Sequence, residues 1–355
     1  MLHALPDATL AALIGGLGGI LLGLAARLGR FCTLGAIEDH LYQGDTTRIR
    51  MWGLAIASAG MMSFGLAGIG AFDPAMSVYY QMGFSPLAHI LGGLLFGYGM
   101  ALAGNCGFGA LARVGGGDLR AFVIVLVMGV TAYMMLSGPL AQMRLNLVQA
   151  TTWPVSTQSY ADLLASALGT SPVVAGFGLA LMLGVAALWS RSFVARPSAV
   201  IWALVVGLAV ASGWAGTFWI AQHGFGIQPV ISHTFTAPLG ESLLFVMTSS
   251  AGGLSFGIGS VAGVLMGAFI GSLFKGHFRW EACDDPRELK RQLWGATLMG
   301  FGAVLALGCT IGQGISAFAI MSLGAPLTFA SIYLGAALGL RQLITGFGPL
   351  FSRGE

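Results

Sequence analysis

The stretch that decides the fold reads Gly97-Tyr98-Gly99-Met100-Ala101-Leu102-Ala103-Gly104-Asn105-Cys106-Gly107-Phe108-Gly109. A similar stretch, 203 residues later, reads Gly300-Phe301-Gly302-Ala303-Val304-Leu305-Ala306-Leu307-Gly308-Cys309-Thr310-Ile311-Gly312. Both contain Gly-aromatic-Gly, an apolar turn, and a cysteine followed three positions later by glycine. Paired, glycine-interrupted apolar segments in two halves of a membrane protein are typical of transport sites. The pattern therefore predicts a duplicated membrane protein whose site lies at these two segments.

The composition indicates a membrane protein rather than a soluble one. Charged residues make up 8% of the chain and hydrophobic residues 56%, and the mean hydropathy is +0.84. A soluble domain carries about 25% charged residues. We expect one all-α, polytopic membrane domain over residues 1–355, with the lipid bilayer as its solvent. The net charge of +3 comes without a basic patch interleaved with aromatic residues, so nucleic acid is not an expected partner.

Nine apolar stretches approach the length of about 20 residues that a bilayer requires. The predicted spans are 9–28, 51–71, 87–104, 120–140, 172–190, 198–220, 252–274, 293–308 and 326–346. The chain has 16 lysines and arginines, and all but Arg144 fall in alternate connections. By the positive-inside rule this places the N-terminus outside and the C-terminus in the cytoplasm.

The offset between the two quoted stretches predicts an inverted repeat. The first repeat covers 9–140, the linking helix 172–190 and the second repeat 198–346, which gives four spans, one span and four spans. A single linking helix inverts the second half relative to the first, as in many secondary transporters. The stretches 104–119 and 308–325 are predicted to be short re-entrant or broken helices that line a cavity.

Three of the four cysteines lie beside glycines at the ends of predicted spans: Cys32, Cys106 and Cys309. Re-entrant loops entering from opposite faces would bring Cys106 and Cys309 together near the middle of the membrane, whereas uninterrupted helices would leave them near the interfaces. Cys283 belongs to a charged connection. A lone cysteine in an apolar segment is more often a small buried hydrophobe.

The residue pattern disfavours metal and catalytic chemistry. There is no Cys-x-x-Cys pair and no histidine beside a cysteine in sequence, as a metal site or an activated nucleophile would need. We therefore expect no metal, no cofactor and no enzyme activity. The remaining hypothesis is a set of neutral thiols that act as weak hydrogen-bond donors toward a sulfur-bearing solute.

Polar and small neighbours of the cysteines complete the candidate site. Asn105 and Gln313 are the side-chain donors beside Cys106 and Cys309, although such residues also form interhelical hydrogen bonds. Glycines permit close approach to a ligand, and those next to the cysteines are Gly107, Gly109 and Gly312. Basic residues at the cytoplasmic mouth, Arg27, Arg30 and Arg113, either attract anions or serve only to set the topology.

With these motifs the chain resembles the YeeE/YedE sulfur-transport family, whose best-known members are bacterial thiosulfate transporters. The resemblance rests on Gly29-Arg30-Phe31-Cys32, on Gly104-Asn105-Cys106-Gly107-Phe108-Gly109 through Arg113-Val114-Gly115-Gly116-Gly117, and on Gly308-Cys309-Thr310-Ile311-Gly312-Gln313-Gly314. It implies nine spans with short additional helices. It also implies that Cys32, Cys106 and Cys309 contact a passing sulfur anion in relay.

The resemblance favours import of a small sulfur-containing anion, and thiosulfate is the expected cargo. It also implies a cytoplasmic sulfur-carrier protein as a partner. Phe108 stands where thiosulfate members have smaller polar residues, so another sulfur or selenium species is an alternative cargo. Further alternatives are a transporter of a soft metal ion, a thiol-based intramembrane redox protein, and a structural membrane subunit whose cysteines only pack.

Overall fold

The structure, a computed structural model, describes residues 6–224, 228–250, 252–281 and 285–346. Within these ranges it is all-α, as predicted, with three isolated β-bridges and no strand. Cys283 and Arg353 lie outside the described residues. The nine long helices are α1 Asp7–Arg27, α2 Thr47–Gly68, α3 Pro86–Ala103, α4 Leu119–Leu136, α5 Pro172–Leu188, α6 Pro197–His223, α7 Phe256–Phe274, α8 Pro286–Leu305 and α9 Gly324–Thr345.

Shorter helices occupy the connections between the long ones. They are Thr33–Glu38, followed by one π-turn Asp39–Gln43, then Pro74–Met76, Val78–Gln81, Gly107–Val114, Ala141–Thr151, Tyr160–Leu168, Arg191–Val194, Thr236–Thr248 and the π-helical Gly312–Ala317. The predicted re-entrant stretches 104–119 and 308–325 each contain one of these short helices. The bundle is therefore built from long helices joined by short ones, and those in the two predicted re-entrant stretches are buried.

Each of the nine predicted spans overlaps one long helix, but the number of spans is not fully confirmed. Seven helices in the described ranges are long and apolar enough to cross a membrane, or eight when Tyr160–Leu168 and α5, bent by 110°, count as one span. Helix α8 is not among them because its first turns carry Glu288, Lys290 and Arg291. Its apolar part alone is too short to satisfy the length that a bilayer requires.

Glycines spaced four apart explain how α1 and α7 pack. A methyl group at Gly19 or Gly23 would overlap the carbonyl oxygen of Ser260 or Val264, and one at Gly263 would overlap that of Gly16. Because the contacting positions advance together along both helices, α1 and α7 run parallel. Small residues let helix backbones approach closely where no hydrophobic effect drives helices together. This accounts for part of the high glycine content of 56 residues.

Helices α3 and α8 meet through four glycines in reciprocal contacts. A methyl group at Gly92 would lie 2.6 Å from the carbonyl oxygen of Gly302, and one at Gly302 would lie 2.6 Å from that of Gly92. Gly99 and Gly295 contact each other in the same way, at 2.5 Å in both directions. The two helices are therefore antiparallel. Gly92 and Gly295, like Gly99 and Gly302, are separated by the same 203 positions as the cysteine stretches.

The connections fall into two groups on opposite sides of the bundle. On one side, called here the basic side, Asp118 bridges to Glu281, and Arg196 pairs with Asp45 at 3.2 Å. On the other side, isolated bridges join Ser77 to Val230 and Ser159 to Ser322. These groups are the ones that the lysine and arginine distribution predicts. The site lies between them.

Candidate functional site

Each of the three cysteines immediately precedes a short helix, and its backbone carbonyl accepts the first hydrogen bond of that helix. The carbonyl of Cys32 accepts the amide of Ala36 at 3.1 Å, that of Cys106 accepts Ala110 at 2.7 Å, and that of Cys309 accepts Gln313 at 2.8 Å. The first amides of a helix have no carbonyl partner within it and carry partial positive charge. All three thiols therefore lie beside helix N-termini.

The same backbone turn precedes every one of these cysteines. The residue two positions before the cysteine has a left-handed φ: 55° at Arg30, 75° at Gly104 and 59° at Leu307. Glycine adopts this left-handed conformation freely, but for a residue with a Cβ the conformation costs about 1–2 kcal/mol. Such strain persists only where the surrounding structure enforces it, and it concentrates at functional sites.

Cys106 lies within electrostatic range of both Cys32 and Cys309, and these three residues are called here the thiol cluster. Cys106 and Cys309 are fully buried, whereas Cys32 is partly exposed. The Cys309 Sγ lies 3.7 Å from the Thr234 Oγ1, and the side chain of Thr310 lies beside Cys106. The broken helices thus bring cysteines from distant parts of the sequence into one place.

Several buried polar atoms around the cluster lack a hydrogen-bond partner among the described residues. They are Thr33 Oγ1, Asn105 Oδ1, Thr236 Oγ1, Thr310 Oγ1 and Gln313 Oε1. A buried polar group without a partner costs about 1–3 kcal/mol. A concentration of such groups around the cysteines is typical of a surface that a ligand or water completes.

The candidate residues beside the cysteines have different surroundings. Asn105 lines the cavity on the basic side. The Gln313 Nε2 donates to the carbonyls of Ala306 at 2.9 Å and Leu307 at 3.2 Å, so this amide braces the turn before Cys309. The Gly109 amide donates to the Cys106 Sγ at 3.3 Å. A methyl group at Gly107 would overlap the end of the buried Met128 side chain.

A cavity of about 930 Å³ opens the cluster toward the basic side. We call it the basic vestibule, and Cys32, Asn105 and Gly109 line its inner end. Its charged lining consists of Arg27, Arg30, Arg48, Arg113, Lys275, Arg279, Glu38 and Glu281. Cations outnumber carboxylates, so the vestibule carries a positive potential that attracts anions.

The two carboxylates in the vestibule are perturbed in opposite directions, because the hydrogen bond from Arg279 lowers the pKa of Glu281. Burial and the neighbouring Asp39 raise the pKa of Glu38, while Arg48 and Arg113 act in the opposite direction. The Arg48 Nε pairs with the Asp39 Oδ2 at 3.2 Å. Glu38 is therefore the vestibule carboxylate that takes up a proton most readily as the pH falls.

The opposite side of the cluster is almost closed. A pocket of only about 10 Å³, called here the narrow slot, is lined by Tyr79, His89, Gln313 and their neighbours. The Tyr79 hydroxyl donates to the Gly312 carbonyl at 3.1 Å and lies near Cys309. A methyl group at Gly312 would lie 2.5 Å from the Thr234 Oγ1. Close packing therefore separates Cys309 from this surface.

Sequence reasoning missed the contacts made by Tyr79, Thr234 and the threonines next to the cysteines. One signal was available, because Cys32-Thr33 and Cys309-Thr310 share the same dipeptide. Nothing in the sequence connects Tyr79 or Thr234 with a cysteine, because both come from other connections. Across the part of the chain that the structure describes, no group of three histidines, cysteines or carboxylates could hold a metal ion.

Apolar helices, interrupted helices at a buried thiol cluster and a charged vestibule define a multi-pass membrane transport protein. A family model described as sulphur transport matches residues 28–338. The chain belongs to this sulphur transport family, in agreement with the resemblance carried by the cysteine motifs. Its class is that of a transporter and not of an enzyme.

Two relatives match most of the chain. The thiosulfate transporter TsuA of Escherichia coli is 28% identical over 324 residues, which cover 86% of this chain and 86% of the relative. The thiosulfate transporter TsuA of Spirochaeta thermophila is 28% identical over 334 residues, which cover 89% of this chain and 94% of the relative.

Proposed function

We propose that the protein imports a small sulfur-containing anion across the bacterial inner membrane, with thiosulfate as the favoured cargo. The observation that carries this proposal is the thiol cluster of Cys32, Cys106 and Cys309, which lies between the basic vestibule and the narrow slot. The names of the two relatives support thiosulfate as the cargo. The lysine and arginine distribution supports an outside N-terminus and a cytoplasmic C-terminus.

The thiols contact the anion as neutral hydrogen-bond donors. A thiolate would repel an anion, whereas a protonated thiol donates weakly to a sulfur or oxygen atom. At Cys106 the sulfur already accepts the Gly109 amide at 3.3 Å, so its S–H remains free to donate to the cargo. Weak contacts repeated at several positions suit passage, because a tightly held ion would not move on.

The cargo passes the proposed contact residues in spatial order. It enters at the narrow slot beside Gln313, reaches Cys309 next to Gly312, and then Cys106 next to Gly107. It leaves past Cys32, with Asn105 and Gly109 at the inner end of the vestibule. The unpartnered hydroxyls of Thr33, Thr236 and Thr310 supply further donors along this path.

The charge of the vestibule stabilises the anion at the cytoplasmic end of the proposed path. An inside-negative membrane potential opposes anion import by about 2.3 kcal/mol per charge per 100 mV. The excess of cations in the vestibule lowers the energy of the anion at the exit of the path. A cytoplasmic sulfur-carrier protein that receives the cargo there is part of this proposal.

The two halves are proposed to be inverted repeats, 9–140 and 198–346, joined by the linking helix 172–190. The reciprocal glycine contacts between α3 and α8 support this. Gly295 lies 203 positions after Gly92, and Gly99 lies 203 positions before Gly302. The Gly92–Gly302 contact therefore maps onto the Gly295–Gly99 contact, as it would under a two-fold axis. The packing of α3 on α9, where Gly97 contacts Ile332, has a counterpart in that of α8 on α4, where Gly300, 203 positions after Gly97, contacts Met128.

The cargo is tested by uptake of ³⁵S-thiosulfate into proteoliposomes that contain the purified full chain. We expect saturable uptake that unlabelled thiosulfate abolishes and that sulfate, selenite and zinc ions reduce little. Stronger competition by selenite or by the metal would contradict thiosulfate as the cargo. A sulfur product of changed oxidation state inside the vesicles would indicate a redox protein instead.

A further inference from the structure

The arginines of the basic vestibule differ in how fully their charges are neutralised. Arg48 pairs with Asp39 at 3.2 Å and Arg279 with Glu281 at 2.5 Å. In contrast, no carboxylate oxygen of the described residues lies within 4.0 Å of the guanidinium groups of three arginines: Arg27, Arg30 and Arg113. These three charges depend on solvent or a ligand for neutralisation.

Two of these arginines lie close enough together to repel each other. Arg113 lies within electrostatic range of Arg27 and repels it, and Glu281 and Asp118 attract Arg27 more weakly. Those two carboxylates are shared with Arg120, which lies 3.7 Å from each of them. Neither carboxylate is therefore available to neutralise Arg27 alone.

The side chain of Arg27 is held in a defined position. Its Nε donates to the Ser272 Oγ at 2.7 Å, and its terminal nitrogen packs against Gly116, where any larger residue would collide with it. Gly116 belongs to the turn after the helix Gly107–Val114, whose last turn carries Arg113. The turn thus holds the Arg27 guanidinium close to the backbone of Arg113, and both residues line the vestibule.

We propose that Arg27 and Arg113 form a second anion site, separate from the thiols, for a divalent tetrahedral oxyanion such as sulfate or thiosulfate. Guanidinium groups bind such oxygens in bidentate fashion, and a dianion relieves the repulsion between two neighbouring cations. The site recognises charge and oxygen geometry, whereas the thiols recognise sulfur. As a holding site for the cargo on the cytoplasmic side it rests on the proposed function, but its affinity for sulfate does not.

The test is equilibrium binding of ³⁵S-sulfate to the full chain in phosphatidylcholine nanodiscs. Arg27→Gln and Arg113→Gln should each weaken sulfate binding by about tenfold or more, as loss of a charge-assisted contact predicts. Arg113→Lys keeps the charge but not the bidentate geometry and should fall between Arg113→Gln and wild type. The control is Arg287→Gln, at an exposed arginine that does not line the vestibule.

The outcome separates this site from the thiol path. Cys106→Ala should bind sulfate as wild type does. This holds whether the variant loses thiosulfate uptake or the wild-type protein does not transport thiosulfate at all. Equal binding by wild type and both glutamine variants, or loss of binding in Cys106→Ala, would overturn the proposal. Displacement of sulfate by anionic lipid added to the nanodiscs would assign the arginines to a lipid headgroup and would also overturn it.

Discussion

The two cysteine stretches share their backbone course but differ in what surrounds them. In both, a left-handed residue precedes the cysteine by two positions, and the cysteine carbonyl begins a short helix. Gly109 lines a vestibule of about 930 Å³, whereas Gly312, 203 positions later, is packed against Thr234 and Tyr79. The repeated motif therefore builds the thiol contacts, and the residues around it decide which side is open.

With the basic side facing the cytoplasm, as we propose, this difference corresponds to an inward-open state of the transporter. The wide side is rich in cations, and the closed side is a slot of about 10 Å³ lined mainly by uncharged residues. Import would require the closed side to open while the thiol cluster stays in place, as alternating access around a fixed site requires. Changing equivalent residues on the two sides tests this directly.

The largest expected difference between the two sides comes from adding one methyl group to each glycine. Gly312→Ala would place a Cβ 2.5 Å from the Thr234 Oγ1 and 3.2 Å from the Tyr79 hydroxyl, so these side chains must move away from Cys309. Overpacking of this kind costs about 1–3 kcal/mol. We expect about tenfold slower thiosulfate uptake, measured as the initial rate in proteoliposomes.

Gly109→Ala is the matched control for this prediction. Its Cβ would lie 3.6 Å from the Cys106 Sγ, an ordinary van der Waals contact, so uptake should stay within about twofold of wild type. The two variants should elute alike in size-exclusion chromatography. If both glycine variants transport equally well, the inferred difference between the open and the closed side is wrong.

A smaller effect is expected from protonation of Glu38 in the vestibule. Burial and Asp39 raise the pKa of this carboxyl, and Arg48 and Arg113 oppose the rise. Protonation as the pH falls removes a negative charge, so sulfate binding should strengthen toward acidic pH. A partly screened charge contributes up to about 1 kcal/mol, which corresponds to about a two- to fivefold change in affinity.

The variant Glu38→Gln distinguishes the contribution of this carboxyl to the pH dependence from that of the other titratable groups of the vestibule. The variant should bind sulfate at neutral pH as tightly as wild type does at acidic pH, and it should lose most of the pH dependence. His277 also lines the vestibule and stays in both proteins. An unchanged pH profile in the variant would assign the effect to His277 or to another group.

Sequence reasoning predicted much of the fold because its signals are local. Apolar stretches located all nine long helices, and basic residues grouped the connections correctly by side. The number of spans was less predictable at α8, because Glu288, Lys290 and Arg291 lie in the first turns of this helix. A hydropathy pattern finds the apolar part of such a helix but does not establish that it spans the membrane.

The site was less predictable because its contacts join distant segments. The three cysteines were evident from their glycine-flanked motifs. Thr234 and Tyr79, in contrast, approach Cys309 only through the packing of separate connections. The geometry also gives Gln313 a bracing role through Ala306 and Leu307, which a list of polar neighbours does not distinguish from ligand contact.

The cargo is proposed to pass through the thiol cluster, in which Cys106 is the member near both of the others. The most direct measurement is the initial rate of ³⁵S-thiosulfate uptake by Cys106→Ala in proteoliposomes, normalised to folded protein. The control is Cys283→Ala, a cysteine that the sequence places in a charged connection. We predict that Cys106→Ala falls to the rate of protein-free vesicles while Cys283→Ala keeps the wild-type rate. Equal uptake by Cys106→Ala and wild type would contradict the claim.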